Sequence, residues 1–183
     1  DLHKAIRRQR QMCIRDSGRI MKEKGIEELF YAVRRLKEEN EDFVLDLAGF
    51  FEDIYKKQVE ELEQLGIAHF YGFQSDPRPF YAEADCVVLP SYHEGMSNVL
   101  LEAAATGRPV ITSNIPGCRE SVENGKSGLL VEVKNKEMLY QAMKKMLHCS
   151  REEREKMGKA GREKMKREFR KEAVVERTVR SLE

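Results

Sequence analysis

Long apolar runs are missing from this chain. None approaches the ~20 residues needed to span a bilayer, so no stretch of it reads as a membrane-crossing helix. Cysteine is scarce as well. Beyond Cys13 there are only Cys86, Cys118 and Cys149, odd in number, widely spaced and without a C-x-x-C. That pattern argues against a disulfide framework or a zinc site and for a reducing compartment. It predicts two buried thiols and one in a loop. An excess of charge of either sign is also lacking, with 33 basic and 32 acidic residues. No G-x-G-x-x-G follows a strand pattern and no Walker loop occurs, which removes the common dinucleotide and P-loop fingerprints. No Ser–His–Asp or Cys–His pair can be assembled, and His69, His93 and His148 do not share metal-ligand spacing.

The first seventeen residues fit no element. Five are Lys or Arg and two are Asp. A basic arm and a targeting peptide are the ordinary readings, but there is no apolar h-region and no helical stripe. Written as codons, Arg7 to Ser17 resembles a transposase-based sequencing adapter, and Asp1-Leu2-His3 matches the segment upstream of it. Residues 1–17 are therefore expected to be a foreign flank, set apart from fold reasoning. The remaining 166 residues carry 28 basic and 30 acidic side chains, a net of −2. No global case for nucleic-acid binding survives that correction.

From Gly18 on, helical and strand patterns alternate. Ile26, Leu29, Phe30, Val33 and Leu36 predict an amphipathic helix over 25–39, and residues 53–65 predict another, stopped by Gly66. Short apolar strands are expected at 43–49, 67–72, 85–91, 108–112 and 128–132. Helices are expected at 97–107 and 136–147, with a turn or short helix at 77–84. Strands apolar on both faces and alternating with helices indicate a parallel sheet covered on both sides. The class is α/β, a Rossmann-like doubly wound domain over 18–150, with ligands at the carboxyl ends of its strands. Residues 151–183 are charge-dense and predict one or two solvated helices as a C-terminal extension. GRIMKEKG begins where a strand should just have ended. The first and central strand is thus expected to be lost or replaced, because QMCIRDS makes a poor central strand.

The densest chemical signal is LPSYHEGMSNVLLEAAATGRPV, residues 89–110. A strand leaves at Pro90, a loop turns at Glu94-Gly95, and a helix starts near Ser97. The backbone N–H groups of Met96, Ser97, Asn98 and Val99 would face whatever sits above the sheet. A helix start offers unpaired donors and roughly half a positive charge, which suits a phosphate. Gly95 would allow close approach. Glu94 and Glu102 suit sugar hydroxyls as acceptors; equally, they could cap backbone and form a surface ion pair. Arg19 and Lys24 could reach the same cleft and compensate a diphosphate, or be two solvated cations. SNIPGCRE (113–120) would add another wall or simply redirect the chain.

These residues resemble a known family. GRIMKEKG, PSYHEGMSNVLLEAAATGRPV with its Glu-x₇-Glu, IPGCRE and NGKSGLLV look like the C-terminal domain of GT-B glycosyltransferases, specifically the retaining family 4. The resemblance implies a nucleotide-sugar donor, with a UDP-sugar favoured, and no metal or other cofactor. Arg19 and Lys24 would contact the diphosphate together with Gly95 and the helix start at Met96, Ser97, Asn98 and Val99. Glu102 would hold the ribose and Glu94, the catalytic position, would orient the transferred sugar. Phe73 would sit by the base. The acceptor, a saccharide or a lipid-linked saccharide of bacterial surface polysaccharide synthesis, would be held by an N-terminal domain missing here, so this piece would bind donor without transferring sugar. A cytoplasmic setting follows, with peripheral docking at the inner membrane face left open. The family's Gly-Asp-Gly after the second strand is replaced by Ala48-Gly49-Phe50-Phe51, which sets that loop apart. A sugar-nucleotide epimerase and a non-catalytic nucleotide-sugar binding module are the alternatives.

Overall fold

The computed structural model describes the backbone of residues 12–170 and the side chains of residues 20–50 and 52–170. Six parallel strands form one sheet. They are β1 (Met12–Ile20), β2 (Phe43–Phe51), β3 (Ala68–Phe70), β4 (Cys86–Leu89), β5 (Val110–Ser113) and β6 (Gly128–Val131). Their order across the sheet is β3-β2-β1-β4-β5-β6. The helices are α1 (Ile26–Glu38), α2 (Asp53–Gln64), α3 (Arg78–Ala82), α4 (Asn98–Ala105), α5 (Lys136–His148) and α6 (Arg151–Glu168).

Alternation along the strands divides the core in two. Phe43, Leu45 and Leu47 of β2, Cys86 and Val88 of β4 and Ile111 of β5 pack with α1, α2 and α5. Ala48, Val87, Leu89 and Val110 face the other way, onto α3, α4 and the segment around Cys118 and Val122. The period-2 side-chain geometry of a strand makes this possible only if both faces are covered. The α/β, doubly wound reading of the sequence therefore stands.

The place of the first strand is not empty: residues 12–20 occupy it, residues 12–17 of the expected flank included. β1 pairs in parallel with β2 over nine residues, from Met12 opposite Phe43 to Ile20 opposite Phe51. On its other edge Ile14 and Arg15 pair with Cys86 and Val87. The strand crosses the Ser17–Gly18 boundary, and residues 12–17, unpromising as a central strand by composition, lie in the middle of the sheet. The physical reason is that a ladder is made by backbone N–H and C=O groups. With β2 and β4 both presenting open edges, leaving those groups unpaired would cost more than an ill-suited side-chain pattern.

The C-terminal extension forms the expected surface helix, mostly solvated and seated along one side. Ser150 and Glu153 form a capping box at the start of α6. Gly158, Gly161 and Met165 are buried on its inner side, where Gly107 and Ala104 approach. The sequence beyond Arg170, including Val174, Val175 and Val179, lies outside the described residues.

Candidate nucleotide-sugar site

The strand order reverses direction between β1 and β4, the switch point at which an open α/β sheet leaves a crevice beyond its carboxyl edge. Two loops meet there. After β1 the chain makes a short 3-10 turn at Lys22–Lys24 and reaches Gly25 in the left-handed region, φ 73°. A Cβ on Gly25 would lie 2.1 Å from the carbonyl oxygen of Pro90, so glycine is required both for the turn and for the contact between the loops. The N–H of Tyr92 donates to the carbonyl of Glu23 at 2.8 Å, and the Tyr92 hydroxyl donates to the Glu28 carboxylate. The loops after β1 and β4 are thus locked together by backbone as well as side chain.

Lys24 and Glu94 meet at this junction. The Lys24 Nζ donates to Glu94 Oε1 at 2.6 Å, and the Ser91 hydroxyl donates to the same oxygen at 2.8 Å. The Glu94 side chain is only 13% exposed. Charge-assisted bonds of this kind hold a carboxylate in one orientation. A cavity of about 460 Å³ opens over the pair, lined by Met21, Glu23, Lys24, His93, Glu94 and Gly95. Nothing lies within 4 Å of a Cβ placed on Gly95, so that glycine fronts open space rather than a packed neighbour.

The helix start lies just beyond. Ser97 is the N-cap of α4 with no side-chain cap hydrogen bond. Its own N–H is taken by the carbonyl of Gly117 at 3.0 Å. The donors left at the first turn therefore begin at Asn98 and Val99, not at Ser97. SNIPGCRE packs behind the Glu94–Gly95 loop and lines none of the cavity. At Gly117 a Cβ would come within 2.5 Å of the carbonyl oxygens of both Glu94 and Gly95. Cys118 beside it is fully buried, and burial pushes its thiol up to about 11, a Thr112 hydrogen bond only partly opposing this.

The other sequence-derived residues fall in three places. Of Arg19 only the backbone is described; it pairs with Phe50, one residue before the end of β1. Phe73, in the loop after β3, is exposed and stacked on the exposed Phe50 with ring centroids 5.1 Å apart and planes 14° from parallel. Sequence reasoning named Phe73 but not its partner Phe50, although both stand in apolar Phe-rich strand exits. Glu102 lies in the second turn of α4 and is exposed. It lines a separate hollow with Leu101, Ala105 and the α6 residues Arg162, Met165 and Lys166. Among the described residues, then, Lys24, Glu94 and Gly95 share one cavity, while Glu102 borders another. Met96 is exposed at the loop tip. Among the described residues no cluster of three His, Cys, Asp or Glu side chains is placed to hold a metal ion.

The family model described as glycosyl transferases group 1 matches residues 6–164. The chain belongs to that family. It is 32% identical over 161 residues to the lipopolysaccharide core biosynthesis glycosyltransferase LpsE of Rhizobium meliloti, a match covering 87% of this chain and 46% of that protein. The chain thus spans about half the length of this curated relative. The crystal structure of the C-terminal domain of a group 1 glycosyl transferase, LpcC of Francisella tularensis, superposes with TM-score 0.73 at 26% identity and covers 87% of both chains. Anabaena HepE, solved in complex with UDP, superposes with TM-score 0.82 at 20% identity over 99% of this chain and 51% of its own. The group 1 fold of this chain is thus that of a Rossmann-like C-terminal half, with the Lys24–Glu94 junction at its switch point.

Proposed function

We propose that this chain is the donor-binding half of a retaining glycosyltransferase of family 4, one that moves a sugar from a UDP-sugar to a saccharide or lipid-linked acceptor during synthesis of a bacterial surface polysaccharide. The observation that carries the reading is the Lys24–Glu94 pair, held by Ser91 at the switch point beside an uncapped helix start. A donor diphosphate would take over the Lys24 ammonium and the free N–H groups of Asn98 and Val99. Release of Lys24 would leave Glu94 to accept hydrogen bonds from hydroxyls of the transferred sugar. The same cation and dipole would stabilise the negative charge that develops on the leaving diphosphate as the glycosidic bond breaks. Glu102, outside the Lys24 cavity, would hold the ribose of a donor that extends beyond that cavity, and Phe73 with Phe50 would flank the base. A relative solved with UDP and one acting in lipopolysaccharide core synthesis support the choice of donor and pathway class.

The acceptor half would belong to the remainder of the parent protein, whose setting we take to be the cytoplasm. Residues 1–17 we take to be a foreign flank, on the codon match; fresh sequencing of the locus upstream of Gly18 checks it, and an uninterrupted reading of the same residues from genomic DNA overturns it.

Calorimetric titration of UDP, GDP and ADP into this chain tests the donor reading. UDP should bind selectively, and Lys24→Ala and Glu102→Ala should each weaken it by about 1.5–3 kcal/mol, the size of a charge-assisted hydrogen bond. If the folded chain binds no nucleotide, the site assignment fails.

A further inference from the structure

A second hollow of about 440 Å³ adjoins the cavity over Lys24 and Glu94. It is lined by Lys22, Glu23, Tyr92, His93, Val133 and Lys134. Glu23 and His93 line both cavities, so the two are divided by a wall one side chain thick. Three loops build the hollow, those after β1, β4 and β6, all at the carboxyl edge of the sheet.

Lys134 is held there at a conformational cost. Its φ of 60° is left-handed, one of only two such non-glycine residues among those described. Side chains with a Cβ rarely adopt this region. Its ammonium lies 4.8 Å from the centroid of the Tyr92 ring. Tyr92 is in turn immobilised, its N–H on the Glu23 carbonyl and its hydroxyl on both oxygens of Glu28. Glu28 thus engages the Tyr92 hydroxyl, and among the described residues the Lys134 ammonium is matched by the ring face alone. Lys22 is largely exposed, its nearest carboxylate, Glu27, a marginal 4.0 Å away. Two weakly compensated cations and one carboxylate, Glu23, therefore line the space, with His93 able to donate as well.

We propose that this hollow is an acceptor-side subsite for a phosphoryl group, a phosphate or diphosphate ester carried by the acceptor, recognised by Lys22 and Lys134 across the Glu23–His93 wall from the donor. It rests on the donor reading above. A phosphoryl group anchored there would hold an attached sugar against the opening beside Glu94, where positioning of the attacking hydroxyl contributes most to rate. The chemistry commits to an anion because two ammonium groups facing one space pair more strongly with a compact, multiply charged oxyanion than with a neutral sugar.

The test uses inorganic pyrophosphate as probe, titrated calorimetrically into the chain saturated with UDP. Saturable binding is expected, weakened about tenfold or more in Lys22→Ala and in Lys134→Gly, the loss of one charge-assisted contact. UDP affinity should stay within about twofold in both variants. Lys134→Gly is chosen because it also removes the left-handed penalty. Its thermal midpoint should be equal or higher, so lost binding cannot be attributed to a damaged fold. Pyrophosphate that fails to bind beside UDP, or binds the variants as well as the parent, overturns the subsite. Weakening of UDP and pyrophosphate in equal measure also overturns it, because the hollow would then be part of the donor site. If UDP itself does not bind, the donor reading fails on its own. Pyrophosphate titrated without UDP then still reads the hollow through the same two variants.

Discussion

Cys118 lies within electrostatic reach of Glu94 and Lys24, and its thiol reports the burial of the loop that backs the site. Its ordinary value of 9.0 is pushed up to about 11, chiefly by desolvation. A raised folded value means that the folded chain keeps a proton the unfolded chain gives up. The stabilisation is complete below 9.0 and is lost as pH rises through about 11. We expect the urea midpoint to fall from about pH 8 to about pH 10.5, and Cys118→Ala to flatten part of that fall. Tyr55, pushed up to about 12 mainly by desolvation, adds to the loss at the upper end and remains in the variant. Under native conditions near neutral pH, mass-spectrometric mapping should find Cys118 unmodified by iodoacetamide until the chain is unfolded. At this scale the sequence was partly legible. Lys24, Glu94 and Gly95 could be named because their spacing around a strand exit and a helix start is local. The αL backbone of Lys134 and its approach to Tyr92 could not, because they join loops that are distant in sequence.

On α6, two glycines three residues apart separate contact from propensity. A Cβ on Gly158 would lie 1.9 Å from the carbonyl oxygen of Gly107, a backbone atom that cannot move without displacing the start of β5. A Cβ on Gly161 would meet nothing closer than the Ser127 Cβ at 3.6 Å. Gly158→Ala should therefore cost about 1–3 kcal/mol by overpacking. Gly161→Ala should be neutral or stabilise by up to ~1 kcal/mol from helix propensity. Urea unfolding of the two variants checks the contrast, and equal effects would mean that α6 is not seated on α4 as described. The charge-dense composition of 151–183 suggested one or two solvated helices. It hid how closely α6 seats because two of its buried inner residues are glycines, which carry no hydrophobic signal. The start of the helix was better marked, with Ser150 and Glu153 at capping-box spacing.

For the molecule as a whole, β1 is the strand that joins the two halves of the sheet, pairing with β2 on one edge and β4 on the other. A chain starting at Gly18 keeps Lys24, Glu94 and every helix but loses most of that strand. Two unpaired edges would then face each other across the middle of the sheet, and backbone groups left without partners there are costly. Such a chain should lose its single cooperative transition by circular dichroism and denaturant titration, and should bind no UDP. Retention of both would show that residues 12–17 are dispensable to the fold.

The periodicity of apolar residues was enough by itself to determine the class, the alternation of strands and helices after residue 25, and the loop that carries Glu94. These are short-range properties, set by the 2.0 and 3.6 residue repeats and by glycine and proline at the exits. Tertiary structure alone decided that Met12–Ile20 serves as the central strand, because pairing depends on which edges are open and not on the composition of the segment that fills them. It also decided that Lys24 reaches Glu94, that Glu102 faces the α4–α6 hollow and not the Lys24 cavity, and that three loops from separate strands close on a second hollow around Tyr92. Each of these depends on chain segments meeting across the sheet, where distance along the sequence carries no information about distance in space.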